Sequence, residues 1–419
     1  MHTSENKIYM LWDESHLWGL MLWRALQALE IPRRIVRAHT LRQGLLSTHP
    51  PAALLVPGGW ARLKADSLGL EGMTGIRDYI RSGGRYLGIC GGAGLGLSSA
   101  SGTPCLDLCT WSRKPIQERL PNFSGHVRCR VRLPHWSKSR NDIFLPVWWP
   151  SQFEQGPKST GDVDTLAQYL EPGRDFWTAD LPYSDLDHPD VYRWEQVYGI
   201  NLDPERLRSE PCMLHGRLGR GEFVLSYSHL ETPQSPQANR LLRELLLAWL
   251  GYDITESQQN SVTQWDICNI EAAWDDGTLQ KCRAGLHEAI ELGRSHFLFY
   301  WRTPWLLGWR RGVPGSPLNF LYAMTGHALE KRPDVQALRF WEGEKKVFEE
   351  YLDQFISRLK TYLIRERLAL SLAPSSPEAS SDRKLQQEKK ELFGSFPGYG
   401  GLYGRLIRPL DHLLYLLER

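Results

Sequence analysis

Short apolar runs alternate with helically spaced apolar positions along the first hundred residues. The runs predict short strands at residues 7–12, 34–37, 52–56 and 85–89. Helices are predicted between them, over residues 13–29 and 75–81. Strands that alternate with helices form βαβ units, whose strands are parallel and covered by helices. The pattern therefore predicts an α/β fold, with a parallel sheet flanked by helices.

The pattern loosens between residues 105 and 210, where prolines, tryptophans and acidic turns accumulate. Strands remain plausible at 127–133 and around 164–170. A hairpin is then predicted from 213–217 and 222–227 around Gly219-Arg220-Gly221, followed by an amphipathic helix at 236–250. We interpret residues 105–210 as an insertion into an α/β domain.

The polar stretch at residues 256–264 is a candidate linker, and beyond it the spacing is mainly helical. A helix is predicted over 342–370, a flexible loop over 371–387 and a last helix from about Leu406. Residues 296–311 concentrate aromatics and arginines, which suggests a helical core with snorkelling arginines rather than a partner-docking or membrane surface. The expected domains are 1–255, α/β, and 256–419, mainly helical and of unknown role.

Composition narrows the functional classes. Lys plus Arg number 50 and Asp plus Glu 48, a net charge of +2 that argues against a nucleic-acid binder. With 42% apolar residues and 17 Trp, the chain can bury a sizeable core. We find no transmembrane run and no signal peptide. Seven cysteines without a framework of spacings indicate free thiols in a reducing compartment, so the expected location is the cytoplasm.

The strongest local signal is Gly88-Ile89-Cys90-Gly91-Gly92, where an apolar strand runs into a glycine-flanked cysteine and then a helix. This is the thiol counterpart of a nucleophile elbow, whose flanking glycines leave room for a sharp turn. The helix N-terminus favours the thiolate. A buried structural cysteine is the alternative. The segment spells neither a dinucleotide-binding loop nor a P-loop.

A cysteine nucleophile needs a base and a group that orients the base. His229 and Glu231 follow an apolar strand two positions apart, so both side chains are expected on one side. Gly58 and Gly59 end the preceding strand, and with the Gly91 amide they would form an oxyanion hole. A surface histidine and an ordinary glycine turn are the alternative interpretations.

These three motifs, LLVPGG, YLGICGG and FVLSYSHLE, resemble the class I glutamine amidotransferase-like superfamily, and more narrowly the biotin-protein ligase N-terminal domain family. The resemblance covers about residues 5–250 and implies a flavodoxin-like parallel sheet. It also implies a Cys–His–Glu triad at Cys90, His229 and Glu231.

The sequence departs from that pattern in two places. The usual proline between the histidine and the glutamate is Leu230, and His229 lies 139 positions after Cys90, which is long for a compact glutaminase. Gly91 stands where the peptidase branch would have a histidine, which disfavours that branch. There is no convincing biotinyl-adenylate segment and no pyrophosphatase loop, so any ammonia acceptor or synthetase would be a separate protein.

Other candidates have weaker support. Trp148, Trp149 and Gln152 could contact a substrate, although packing of the tryptophans is favoured. Asp13 and Glu14 end the first strand, where α/β sheets bind ligands, but Asp13 could equally cap the first helix.

Metal binding has little support, because Cys105, Cys109, His126 and Cys129 lack the spacing of a zinc site. We expect no metal and no cofactor. The preferred hypothesis is a cysteine-dependent amidase or amidotransferase-like hydrolase acting on a small carboxamide. The alternatives are a non-catalytic scaffold that binds a ligand or a protein through its helical domain, and, on the family name alone, a regulatory subunit of a biotin ligase.

Overall fold

The computed structural model divides the chain into two compact units, one ending at Gln264 and the other beginning at Trp265. The boundary expected near residue 255 falls in a segment outside the described residues. The described residues are 5–99, 102, 104–132, 142–156, 163–186, 188–252, 261–310, 312–372, 383–395 and 398–419.

The first unit contains thirteen strands, eight α-helices and two short 3₁₀ helices (Ile116–Glu118 and Pro204–Leu207) within its described part. The strands are β1 (Glu5–Leu11), β2 (Arg33–Val36), β3 (Pro51–Val56), β4 (Arg85–Ile89), β5 (Ser112–Arg113), β6 (Ser124–Val131), β7 (Ile143–Trp148), β8 (Phe153–Glu154), β9 (Val163–Pro172), β10 (Trp177–Thr178), β11 (Leu181–Pro182), β12 (Pro211–Leu218) and β13 (Gly221–Ser226). The helices are α1 (His16–Ala28), α2 (Ala38–Arg42), α3 (Leu45–Thr48), α4 (Ala61–Arg81), α5 (Gly91–Gly96), α6 (Tyr183–Leu186), α7 (Val191–Tyr198) and α8 (Pro236–Leu250).

The main sheet has a parallel half and an antiparallel half. The parallel half runs in the order β13-β4-β3-β1-β2, as a doubly wound α/β sheet requires. Successive β1 residues from Ile8 to Leu11 are fully buried, because both faces of this half are covered. The prediction of a parallel sheet flanked by helices is confirmed.

The insertion extends this sheet rather than forming a layer of its own. Strands β12, β9, β6 and β10 continue from β13 in antiparallel order, and β7 also pairs with β6. The sheet is therefore mixed. In its antiparallel half, only β12 separates the strands of the insertion from β13, the strand that leads to His229.

The turn between β1 and α1 differs from expectation. Asp13 does not cap α1; it accepts hydrogen bonds from the Ala38 amide at 2.7 Å and Arg37 Nε at 3.1 Å. Ser15 occupies the cap position, but its hydroxyl donates to the Leu11 carbonyl at 3.2 Å. The Asp13 carboxylate instead ties the end of β1 to the segment after β2, a tertiary bond that local spacing cannot reveal.

The second unit is mainly helical, as predicted. Its elements are α9 (Gly277–Ser295), β14 (Phe299–Thr303), β15 (Leu306–Trp309), α10 (Gly315–Leu329), α11 (Val335–Leu372), α12 (Arg383–Phe393) and α13 (Gly401–Glu418). None of the helices within the described residues is long and apolar enough to span a bilayer.

Two local predictions in this unit are wrong. The aromatic segment expected as a helical core forms the antiparallel hairpin β14–β15, in which Gly308 leaves the space that the Tyr300 ring occupies. The loop expected over 371–387 is partly helical, because Leu385 and Leu392 give α12 one buried face. Residues 373–382 of that predicted loop lie outside the described residues.

Candidate active site

Cys90 lies at the bend between β4 and α5 and has an unusual backbone conformation. Its φ is +50° and its ψ is −101°, a region that residues with a side chain rarely occupy. Its amide donates to the Ser226 carbonyl at 2.7 Å, and its carbonyl accepts from the Gly94 amide at 2.9 Å. Strain of this kind persists only where the surroundings impose it, and here the end of β13 and the first turn of α5 do so.

The glycines flanking Cys90 make this bend possible. A Cβ on Gly88 would lie 2.5 Å from the Gly92 carbonyl carbon, and one on Gly92 would lie 1.9 Å from the Val56 carbonyl oxygen. Such distances are far inside van der Waals contact. The glycines therefore let α5 pack directly against the end of β3.

His229 and Glu231 lie in the segment that follows β13, and both side chains are fully buried. His229 Nδ1 and Glu231 Oε1 are 2.8 Å apart. The His229 amide donates to the Pro146 carbonyl at 2.8 Å, and the Thr232 hydroxyl donates to the His229 carbonyl at 2.8 Å. The backbone is thus held from both sides, which fixes the imidazole.

The second imidazole nitrogen is directed to Cys90. Within the described part of the chain, His229 Nε2 forms no hydrogen bond of normal geometry. The Cys90 thiol is nevertheless close enough to raise the pKa of the imidazole. Burial by itself lowers the pKa of His229. The Glu231 carboxylate and Cys90 outweigh burial and raise that pKa to about 10. This environment favours the charged imidazolium form of His229 at neutral pH.

The three glycines predicted for an oxyanion hole lie in contact with these groups. A Cβ on Gly58 would lie 3.2 Å from Cε1 of His229, and one on Gly91 would lie 1.9 Å from the Gly59 carbonyl oxygen. Among the described residues, the amides of Gly58 and Gly59 donate to no backbone acceptor. The Gly91 amide, in the first turn of α5, has no intrahelical acceptor. All six predicted site residues therefore meet at one edge of the sheet.

Sequence reasoning missed two residues that support this edge. The Trp18 ring on α1 lies over the His229 imidazole, with ring centroids 4.6 Å apart. The fully buried Lys64 ammonium donates to the Asp13 carbonyl at 3.2 Å, the Glu14 carbonyl at 3.1 Å and the Ser15 hydroxyl at 2.5 Å. Tertiary packing alone reveals both roles.

Lys64 also affects the loop next to the glycine turn. The Glu14 carbonyl oxygen would lie 2.4 Å from a Cβ on Gly59, so the loop that Lys64 holds packs against that glycine. Burial and the Lys64 ammonium lower the pKa of His16 to about 3, so this histidine is neutral at pH 7.

The weaker candidates have structural partners. Trp148 is buried and its indole donates to the Thr232 hydroxyl at 3.0 Å, next to Glu231. Gln152 is buried and accepts from the Leu120 amide at 2.7 Å. Trp149 has a φ of +51° in the turn after β7. Trp148 thus links the insertion to the segment after β13, and Gln152 holds two parts of the insertion together.

The cysteine and histidine pairs considered for zinc are dispersed. His126 binds Asp175 through Nδ1 at 2.9 Å and Ser235 through Nε2 at 2.8 Å. The Cys129 sulfur instead lies 3.8 Å from that of Cys212. The described residues contain no group of three or more metal-ligating side chains.

Comparison with known proteins supports the expected resemblance over part of the chain. The family described as "Biotin-protein ligase, N terminal" matches residues 36–101, which run from the end of β2 to just beyond α5. This segment carries Gly58, Gly59 and Cys90 and stops well before His229. No curated protein matches the chain.

Solved structures similar to this chain include two glutamine amidotransferase-type proteins. A putative GMP synthase component from Thermoplasma acidophilum matches with 13% sequence identity and a TM-score of 0.36. The match covers 59% of this chain and 96% of that chain. A glutamine amidotransferase from Thermotoga maritima matches with 8% sequence identity and a TM-score of 0.34. That match covers 59% of this chain and 99% of the other.

A β-galactosidase from Bacillus circulans sp. alkalophilus also matches, with 14% identity over 60% of this chain and a TM-score of 0.35. This chain spans only 32% of that enzyme. TM-scores this low support no conclusion about chemistry, and the fold described above rests on the sheet topology itself.

Proposed function

We propose that the protein is a cysteine-dependent hydrolase of carboxamides, related in its chemistry to the glutamine amidotransferases. The observation that carries the proposal is the buried His229 imidazole, which Glu231 holds through one nitrogen while the other faces the strained Cys90. Nucleophilic cysteine catalysis requires this order of thiol, base and orienting carboxylate.

The reaction has two halves. Cys90 Sγ attacks the amide carbon, and the oxyanion that forms accepts hydrogen bonds from the amides of Gly58, Gly59 and Gly91. His229 donates its proton to the leaving nitrogen, so ammonia departs and a thioester remains. Water then attacks the thioester and gives a proton to His229. The carboxylic acid leaves, and the Cys90 sulfur is restored.

Glu231 acts through His229 rather than on the substrate. Its carboxylate fixes the imidazole tautomer and stabilises the imidazolium that exists in both halves of the reaction. The ammonia would pass to water or to a separate acceptor or synthetase protein, since sequence analysis found no synthetase motif in this chain.

Ammonia release from a panel of amides and γ-glutamyl compounds tests the proposal. Wild-type protein is expected to release ammonia from at least one member, and Cys90→Ser should reduce the rate by about 10²-fold or more, of the order of a nucleophile's contribution. Cys105→Ser is the matched control and should retain the wild-type rate. Equal rates for wild type and Cys90→Ser would instead favour the non-catalytic scaffold.

A further inference from the structure

Two arginines from the insertion lie beside the proposed nucleophile. The strand pair β5–β8 sets Arg113 opposite Phe153, and the Phe153 ring packs on Tyr227 with centroids 4.2 Å apart. The Arg113 guanidinium also lies over α5, with Nε 3.5 Å from the position of a Cβ on Gly94. Arg113 is therefore held within one helical turn of Cys90.

Arg119 directly follows the short 3₁₀ helix Ile116–Glu118 and lies near Arg113 and Tyr227. Its Nε donates to the Lys114 carbonyl at 2.5 Å, and its guanidinium acts electrostatically on both Arg113 and Tyr227. Burial lowers the pKa of Arg119, and the neighbouring Arg113 lowers it further. An anion bound between two such positive charges would relieve their repulsion.

The protein itself supplies no such anion within the described ranges. The nearby Glu210 carboxylate is paired with Lys114 and accepts from Gln152 at 2.7 Å. Among those same residues, neither Arg113 nor Arg119 forms an ion pair with a carboxylate.

A second observation points to a ligand at the same position. The Tyr227 side chain is buried, yet its hydroxyl has no hydrogen-bond partner among the described residues. The hydroxyl of Ser151 is also buried and lies close enough to lower the pKa of Tyr227, but the two hydroxyls form no hydrogen bond of normal geometry. Buried polar groups are rarely left unpaired, and exceptions of this kind are typical of ligand sites. The Cys90 thiol raises the pKa of the same tyrosine hydroxyl, so this hydroxyl lies near the proposed nucleophile.

We infer that the substrate is an anionic carboxamide, whose carboxylate or phosphate group binds Arg113 and Arg119 while its amide lies at Cys90. The Tyr227 and Ser151 hydroxyls donate hydrogen bonds to the same substrate. Guanidinium groups bind such oxyanions through paired N–H donors. This inference rests on the proposed function, since it specifies the substrate of the same thiol.

Alkylation of Cys90 tests the anion site without any substrate. In both reactions the thiolate sulfur attacks the CH₂ carbon and iodide leaves, but iodoacetate carries a carboxylate and iodoacetamide is neutral. The rate ratio of iodoacetate to iodoacetamide should be higher at Cys90 than at Cys105. It should fall about tenfold in Arg113→Gln/Arg119→Gln. An unchanged ratio would overturn the inference.

The control for this measurement is Arg220→Gln. Arg220 directly precedes β13, at the end of that strand opposite to His229, so this variant should leave the ratio unchanged. Failure of the proposed function itself would appear differently. In that case Cys90 would react no faster than the other thiols with iodoacetamide, whatever the arginine variants did to the ratio.

Three amides of matched length provide a second readout. Succinamate and 3-phosphonopropanamide carry an anion where butanamide carries a methyl group. The wild type should show a higher kcat/KM for one or both anions than for butanamide. The preferred anion identifies whether the arginines bind a carboxylate or a phosphate group. The double arginine variant should lose that preference, because its kcat/KM should fall more on the two anions than on butanamide. Equal loss on all three amides would contradict the anion site.

Discussion

Two buried carboxylates, one in each unit, differ in whether both of their oxygens have hydrogen-bond partners. Asp276 in the second unit uses both oxygens: Oδ1 accepts from the Leu279 amide at 2.8 Å, and Oδ2 accepts from the Trp341 indole at 3.0 Å and pairs with Lys345 at 3.0 Å. Glu231 bonds His229 through Oε1, but its Oε2 has no partner among the described residues.

The backbone conformation before the neighbouring helix also differs between the two units. Asp276 has an ordinary extended conformation before α9, with φ −117° and ψ 114°, and caps the helix. At the corresponding place in the first unit, Cys90 precedes α5 at φ +50° and makes no side-chain cap bond. A fully paired acid at a relaxed helix start contributes stability. The unpaired Glu231 oxygen and the strained Cys90 backbone occur instead where we propose chemistry.

The largest expected effect is on the rate, from Glu231→Gln. The amide keeps the shape but loses the charge that raises the pKa of His229 above the value that burial alone would give. We expect kcat for the preferred amide to fall by about 10²-fold or more, the usual contribution of general acid–base catalysis. Steady-state ammonia release measures this.

The matched control for this variant is Glu244→Gln, a nearly buried acid of α8 that pairs with Arg240. It should retain the wild-type kcat. A kcat for Glu231→Gln within twofold of wild type would contradict the assigned role of the carboxylate.

Lys64→Met should give the largest loss of stability in the first unit. It removes three hydrogen bonds and leaves the Asp13 and Glu14 carbonyls unsatisfied, which costs about 3 kcal/mol. Urea unfolding measures the free energy of unfolding. Lys7→Met, at an exposed position of β1, should change it by no more than about 0.5 kcal/mol. Equal effects of the two substitutions would show that Lys64 does not brace the loop.

Asp276→Ala is expected to destabilise the second unit without affecting the rate. It removes the α9 cap and the partners of Trp341 and Lys345, at a cost of about 2 kcal/mol. Thermal unfolding followed by circular dichroism should show the shift, and kcat should stay within twofold of wild type. A loss of kcat as large as that of Glu231→Gln would remove the distinction between the two acids.

The smallest expected effect is a pH dependence in the second unit. Burial raises the pKa of Glu418, but hydrogen bonds and charges of His327 and Lys331 outweigh burial and lower it to about 2. Because the pKa is lowered on folding, the stability it contributes is present above its ordinary value of 4.5 and is lost as pH falls toward 2.

Glu418→Gln should therefore lower the urea midpoint at pH 7, and the difference from wild type should shrink by pH 3. A difference that is the same at both pH values would contradict this account of the carboxylate.

Much of the site follows from the sequence because strand ends identify one edge of a parallel sheet. Gly58, Cys90 and His229 each come directly after an apolar run, and the carboxyl ends of these strands meet in space. The motifs thus predict which residues come together. Their catalytic roles remain proposals.

The groups that define the proposed substrate could not be predicted in the same way. Arg113 lies in a strand of two residues, and Tyr227 resembled the last residue of an ordinary strand. Their positions depend on the pairing of β5 with β8 and on the packing of Phe153, both of which arise from tertiary structure. The hairpin β14–β15 was missed for a related reason, since short aromatic runs fit a helix or a strand equally well.

The most direct test of the central claim is the rate at which each of the seven cysteines reacts with iodoacetamide at neutral pH, followed by peptide mass spectrometry. Our account predicts that Cys90 reacts fastest, well ahead of the half-buried Cys105, and that Glu231→Gln slows Cys90 alone. A Cys90 that reacts no faster than Cys105, with or without the Glu231 carboxylate, would contradict it.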